Sequence, residues 1–149
     1  MSTPTNIHFL NGEHLAANIY RHNDAYPAGL GIDLQLFLDE TASLPDSRWD
    51  DAEYLASKYL VWQAAQNALA VSKGKKPNPL AFTAVCPCIE DHTDISYRYT
   101  VRCDNQGGRP RVFVERVQYH DEQPVCTDLG EVRKLDDGTY TLAGEPLKE

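Results

Sequence analysis

Asn6-Ile7-His8-Phe9-Leu10-Asn11-Gly12-Glu13-His14-Leu15-Ala16-Ala17-Asn18-Ile19-Tyr20-Arg21-His22 is the stretch whose pairing sets the fold. Asn11-Gly12 between two alternating segments is a strong hairpin signal, so Asn6–Leu10 and His14–His22 read as paired strands. Loop parity then decides which side chains share a face, because strand side chains alternate. A two-residue turn pairing Leu10 with Glu13 puts Ile7 and Ile19 on opposite faces. A three-residue loop, Asn11 to Glu13, gathers Ile7, Phe9, Leu15, Ala17 and Ile19 on one face. The second register is the one adopted. It sets His8, His14, Asn18, Tyr20 and His22 together on the other face, as a solvated polar surface or as a site.

Downstream, Asn23–Gly31 carries Pro27, Gly29 and Gly31 and reads as a loop. The i, i+4 pairs Leu30–Leu34 and Leu34–Leu38 predict a short helix to about Thr41. Leu44-Pro45 interrupts it. Asp46 or Ser47 is then the expected cap of a long helix, with Asp50, Asp51 and Glu53 in its first turns, where the helix dipole favours anions. Trp49, Ala52, Ala56, Tyr59, Leu60 and Gln63 follow helical steps, and Leu55, Val61, Trp62, Ala65 and Leu69 widen the apolar arc. That breadth predicts a central core helix, buried on more than one side and ending before Gly74.

After the basic connector Lys73–Pro79 the period changes to two. Leu80–Cys88, Asp94–Asp104 and Arg109–Gln118 read as strands, the first two folded against each other about Ile89–Thr93. In Arg109–Gln118 the inner face is ambiguous. Glu131–Leu135 and Thr139–Leu142 form a weaker hairpin closing on Asp136-Asp137-Gly138, and Gly144 onward reads as a frayed tail. The expected fold is a single α+β domain over residues 1–149: an N-terminal β-hairpin, a short and a long helix, then an antiparallel sheet packed on the helices. A strongly bent sheet wrapped around the long helix is the alternative.

The chain has 149 residues, and 14 basic against 22 acidic side chains give a formal charge of −8. That balance argues against broad nucleic-acid binding, which requires phosphate neutralisation. No apolar run approaches the length of a membrane span, and no signal-peptide pattern opens the chain. Four cysteines without such a signal read as reduced thiols in the cytoplasm. Charge is unevenly spread. Residues 33–54 carry a net −6, whereas residues 73–116 carry +3.

Two features invite chemistry. Cys86-Pro87-Cys88 with His92, Cys103, His120 and Cys126 suggests zinc, but structural zinc sites leave two to four residues between paired cysteines. The strand register also separates Cys103 from Cys86, so neither a metal nor a cofactor is expected. The second feature is Tyr20-Arg21-His22-Asn23-Asp24-Ala25-Tyr26-Pro27. A His near a carboxylate can act as a general base, and an Arg beside it can hold an anion. The same residues can equally brace a turn. No nucleophile elbow, phosphate loop or HExxH element accompanies them.

This octapeptide resembles the Y-R-H-x-D-G-Y-P stretch of small, uncharacterised bacterial and phage proteins. The opening Met1-Ser2-Thr3-Pro4-Thr5-Asn6-Ile7 is similar to their M-S-T-R-x-N-I start. The likeness covers roughly the first forty residues. Ala25 stands where that family has Gly, and Pro4 where it often has Arg. If that Gly takes positive φ, Ala25 would be strained there, which implies a differently shaped loop in this chain. The resemblance carries no chemistry, but it implies a phage or prophage accessory protein.

The expected function is therefore a small, acidic, cytoplasmic binding protein that docks on a host protein or complex. In its most specific form it is an inhibitor of a nucleic-acid-handling defence complex. The expected binding residues are Tyr20, His22, Asp24 and Tyr26, with Asp39, Glu40, Asp50 and Asp51 as an acidic helical face. The alternative is an enzyme or nucleotide-binding protein using Arg21, His22 and Asp24.

Overall fold

A computed structural model describes residues 3–42, 47–75, 83–86 and 91–148. Its order is β1 (Thr5–Asn11), β2 (His14–Arg21), a single wide helical turn (Pro27–Gly31), α1 (Ile32–Ala42) and α2 (Ala52–Ser72). Then follow β3 (Thr83–Cys86), β4 (Tyr97–Cys103), β5 (Arg111–His120), β6 (Gln123–Lys134), β7 (Tyr140–Leu142) and β8 (Glu145–Pro146). The strands form one sheet in the order β3-β2-β1-β4-β5-β6-β7-β8. The protein is α+β, and its sheet is mixed, because β1 pairs with β4 in parallel.

In the opening hairpin the expected face forms by a different device. Asn11 pairs with His14 across a two-residue turn, Gly12-Glu13, and Gly12 takes φ 58°. A bulge between Phe9 and Leu10 then shifts the register, so that Phe9 faces Ala17 and Ile7 faces Ile19. Ile7, Phe9, Ala17 and Ile19 share the core face as expected. Leu15 instead pairs with Leu10, near the turn and only half-buried.

Strand partnership corrects the sequence reading. β3 pairs antiparallel with β2, Ile19 facing Val85, so the expected hairpin of Leu80–Cys88 with Asp94–Asp104 does not form. β4 lies two strands away, against the far edge of β1, where Tyr99 and Val101 continue the apolar rows of Ile7 and Phe9. Cys88 and the candidate cap Asp46 lie outside the described residues.

β5 and β6 form the longest hairpin, turning at Asp121 and Glu122, both at positive φ. A bulge follows Val114, leaving Leu129 unpaired; beside it Gly130 takes φ 105°, and a Cβ there would stand 3.3 Å from that of Ala143. Val112 and Val114 face the main core. Val117 points to the other side, into a small cluster with Tyr20 and Ile95. Apolar residues on both faces explain why no single inner face was readable. The last hairpin closes as expected, Lys134 opposite Tyr140, but Glu145–Pro146 adds a short strand where a frayed tail was expected.

α1 buries Ile32, Leu34, Phe37 and Leu38. α2 is capped by Asp51, whose carboxylate accepts from the Glu53 N–H at 3.0 Å, and not by Ser47. It buries only Ala52, Leu55, Ala56, Tyr59 and Gln63, one stripe in its first three turns. This corrects the expected centrally buried helix. Leu60 is only half-buried, and Val61, Leu69 and Val71 face outward. Helix and sheet meet through rings: Phe9, Phe37 and Trp62 stand 5.5–6.3 Å from Tyr59, centroid to centroid.

Candidate functional site

The octapeptide is divided between the two faces of the sheet. Arg21 turns inward and is almost wholly buried. Its Nε donates to the Asn23 carbonyl at 2.9 Å, its Nη1 to the Tyr59 hydroxyl at 3.4 Å, and Asp33 lies 3.6 Å away. Tyr20 turns outward with His22, their Oη and Nδ1 2.8 Å apart. Asp24 supplies the bend at φ 58°, and its carbonyl accepts from the Leu30 N–H. Asp tolerates that conformation better than most residues. Ala25 lies outside the positive-φ region; it is buried, with its carbonyl receiving the Tyr99 hydroxyl at 2.6 Å. Gly29 packs so closely under this bend that a Cβ would lie 2.7 Å from the Asp24 oxygen. Tyr26 is exposed. Arg21, His22 and Asp24 therefore do not line one concavity.

Of the polar residues expected on the outer face, His8, Asn18 and Tyr20 do converge, on a partner from far along the chain, whereas the bulge sets His14 opposite Asn11, on the other face. Asp91 Oδ1 lies 2.6 Å from His8 Nε2 and accepts from Asn18 Nδ2 at 3.1 Å. Its Oδ2 accepts from Arg98 Nε at 2.7 Å. Next door, Asn6 donates to the Asn18 side chain at 2.8 Å and accepts from the His92 N–H at 3.0 Å. The His92 ring stacks on Tyr20 at 3.9 Å. Burial pushes the Asp91 carboxyl up, but His8 and Arg98 pull it down to about 2. A carboxylate with three donors, held ionised in this way, is a poor proton acceptor at neutral pH. Its chemistry here is to fasten Asp91 and the neighbouring His92 over the sheet. A shallow cavity of about 350 Å³ opens beside it between His92, Arg98, Tyr119 and Glu122. Arg98 also reaches the Cys126 sulfur at 3.2 Å. His8, Asn18 and Tyr20 were legible as one face; Asp91 was not, since nothing local ties it to them. Among the described residues no group of three His, Cys, Asp or Glu could hold a metal ion.

Of the four acidic residues expected on a helical face, Asp39 and Glu40 lie on α1, whereas Asp50 and Asp51 precede α2 and are not in its first turns; all four are engaged. Asp39 lies 2.8 Å from Arg109 and 2.6 Å from Lys134; burial raises its pKa, yet these two cations bring it below the ordinary carboxylate value. Glu40 accepts from the Trp62 indole and from Gln66. Arg48 lies within 3.3 Å of Asp50 and 3.7 Å of Asp51. The same guanidinium sits 3.8 Å above the Tyr54 ring. Glu40, bonded to Trp62, stands at the edge of an apolar groove of about 460 Å³ between the end of α1 and the outer side of α2, with Tyr54, Lys58, Val61, Trp62 and Ala65 on its walls. Sequence reasoning assigned Val61 and Trp62 to the core; Trp62 does pack against it, but Val61 faces outward, because helical periodicity cannot say which side of a broad arc meets the sheet.

The geometry defines an α+β protein with an acidic, groove-bearing helical layer and a polar, clamped sheet face. Compared with protein-family models, with curated proteins and with solved structures, the chain matches none.

Proposed function

We propose that this chain is a small non-catalytic binding protein that holds a protein partner in the apolar groove of α2. The observation that carries the reading is the outward stripe of Tyr54, Val61 and Leu69, with 52%, 71% and 49% of their surfaces exposed at helical spacing. Apolar surface gathered in a groove and rimmed by charge is the usual form of a docking site. Lys58 is the charged side chain on the groove wall, while Glu40 stands at its edge within a segment, residues 33–54, of net −6, so the complementary segment is an apolar one with basic flanks.

The division of Arg21 and His22 between opposite faces favours binding over the enzyme alternative. Among the described residues no helix is long and apolar enough to cross a membrane. The narrower version, a cytoplasmic phage or prophage protein that inhibits a host defence complex, rests on the octapeptide and N-terminal resemblance.

A photoreactive side chain at position 61 is expected to cross-link one partner through a segment rich in Lys or Arg. Val61→Glu should weaken that partner about thirtyfold or more, as for a central anchor residue, with the melting temperature unchanged. Capture that survives Val61→Glu, or a cross-link only to a second copy of this chain, would remove the proposal.

A further inference from the structure

In a protein of net charge −8, one cavity brings four cations together on its walls. It measures about 290 Å³ and opens where β5 and β6 part company, with Arg109, Arg111, Arg133 and Lys134 on its walls. The β5–β6 ladder ends at Val112 opposite Val132. The next two residues outward, Arg111 and Arg133, stand on neighbouring strands with like charge, an arrangement that works against sheet stability.

Three of the four cations are already positioned. Arg109 Nη2 donates to the Gln35 side-chain oxygen at 2.7 Å and lies 2.8 Å from Asp39. Lys134 is 2.6 Å from the other Asp39 oxygen. Arg111 grips Glu131 with Nε and Nη2, at 3.2 and 2.8 Å. Gln35 in turn donates to the Val132 carbonyl at 2.8 Å, which fixes the floor. Arg133 is different: its side chain is exposed and makes no hydrogen bond or close ion pair with any described residue, acting on Glu131 only through its charge. Two carboxylates, Asp39 and Glu131, leave the four cations with a surplus of two positive charges.

We infer that this cavity is a binding site for a phosphate group, carried free or as the phosphomonoester of a small molecule. A surplus of two charges matches a phosphate dianion, and guanidinium groups supply planar paired donors suited to its oxygens. The bound carboxylates hold Arg109, Arg111 and Lys134 in place before the ligand arrives, which lowers the ordering cost of binding. Arg133 supplies the uncommitted donor set. The volume lies at the lower edge of ligand sites, which favours a small ligand over a polymer. The site lies apart from the α2 groove and does not depend on what that groove binds.

The test is calorimetric titration of the full chain with inorganic phosphate, a nucleoside 5′-monophosphate, the unphosphorylated nucleoside and a short single-stranded oligonucleotide. Wild type is compared with Arg133→Gln and with Arg116→Gln, an exposed arginine of β5 outside the cavity. The expected result is phosphate-dependent binding that Arg133→Gln weakens about tenfold or more and Arg116→Gln leaves intact. Equal affinity for phosphate and the monophosphate would assign the site to free phosphate; a tighter monophosphate would assign it to the ester. Absence of binding by both at about 10 mM, equal losses in the two variants, or binding of the oligonucleotide alone would overturn the inference. Unchanged melting temperatures verify that both variants are folded.

Discussion

Tyr59→Ala is expected to destabilise the protein by about 3–5 kcal/mol, the range for removing a buried aromatic side chain. Tyr59 is fully buried and joins three things at once. Its ring meets Phe9 of the sheet, Phe37 of α1 and Trp62 of its own helix. Its hydroxyl receives Arg21, so truncation also leaves a buried guanidinium short of a partner. Leu60→Ala, one residue on, should cost clearly less, because Leu60 is half-buried. Urea denaturation of the two variants measures the difference. A Tyr59→Ala cost below about 1.5 kcal/mol would show that the helix-to-sheet contact is not organised around this ring.

The second large effect is expected at Asp91. Asp91→Ala should cost about 2–4 kcal/mol at neutral pH, since it strands His8, Asn18 and Arg98 on a partly buried face. The pH dependence has a definite sign. The folded-state pKa is depressed, to about 2, so the carboxylate's contribution is complete above its ordinary unfolded value near 4. It is lost as pH falls from there through about 2. Wild-type stability should therefore drop across that window, and the Asp91→Ala protein should show a shallower drop. Parallel pH profiles for the two proteins would mean that Asp91 is not held ionised by this cluster.

Local pattern revealed what is locally determined. Alternation placed Ile7, Phe9 and Ile19 on the core side and Tyr20 on the other, and i, i+4 spacing located α1. Asp136-Asp137-Gly138 marked its hairpin because Gly138 takes φ 87° there. Partner choice between distant strands leaves no such trace. Nothing near Thr5 indicates that its neighbour is Tyr97 and not a residue of β3. The β5–β6 turn escaped notice because Asp121-Glu122 lacks the Gly or Asn that usually supplies positive φ. The candidate sites divide in the same way. The outer polar face could be read, but Asp91 joins it from 83 residues beyond His8. The cationic cavity draws on α1, β5 and β6, and no single segment of the chain displays it.

The parallel pairing of β1 with β4 bears on how the chain is made. During synthesis β1 and β2 emerge first and can close their hairpin at once, across a two-residue turn. The other edge of β1 then waits until Cys103 is available to complete β4. Throughout that interval a strand carrying Ile7 and Phe9 presents unsatisfied backbone groups, a template for pairing with another chain. Such long-range closure is slow to form, because loop entropy is lost before the contacts are gained. A fragment ending at Lys75 contains the hairpin and both helices yet lacks the strand that seals them. It should aggregate or melt without cooperativity, whereas the full chain is expected to unfold in a single transition by circular dichroism. A sharp thermal transition from residues 1–75 would show instead that the nascent half folds by itself, with β4 added to a finished edge.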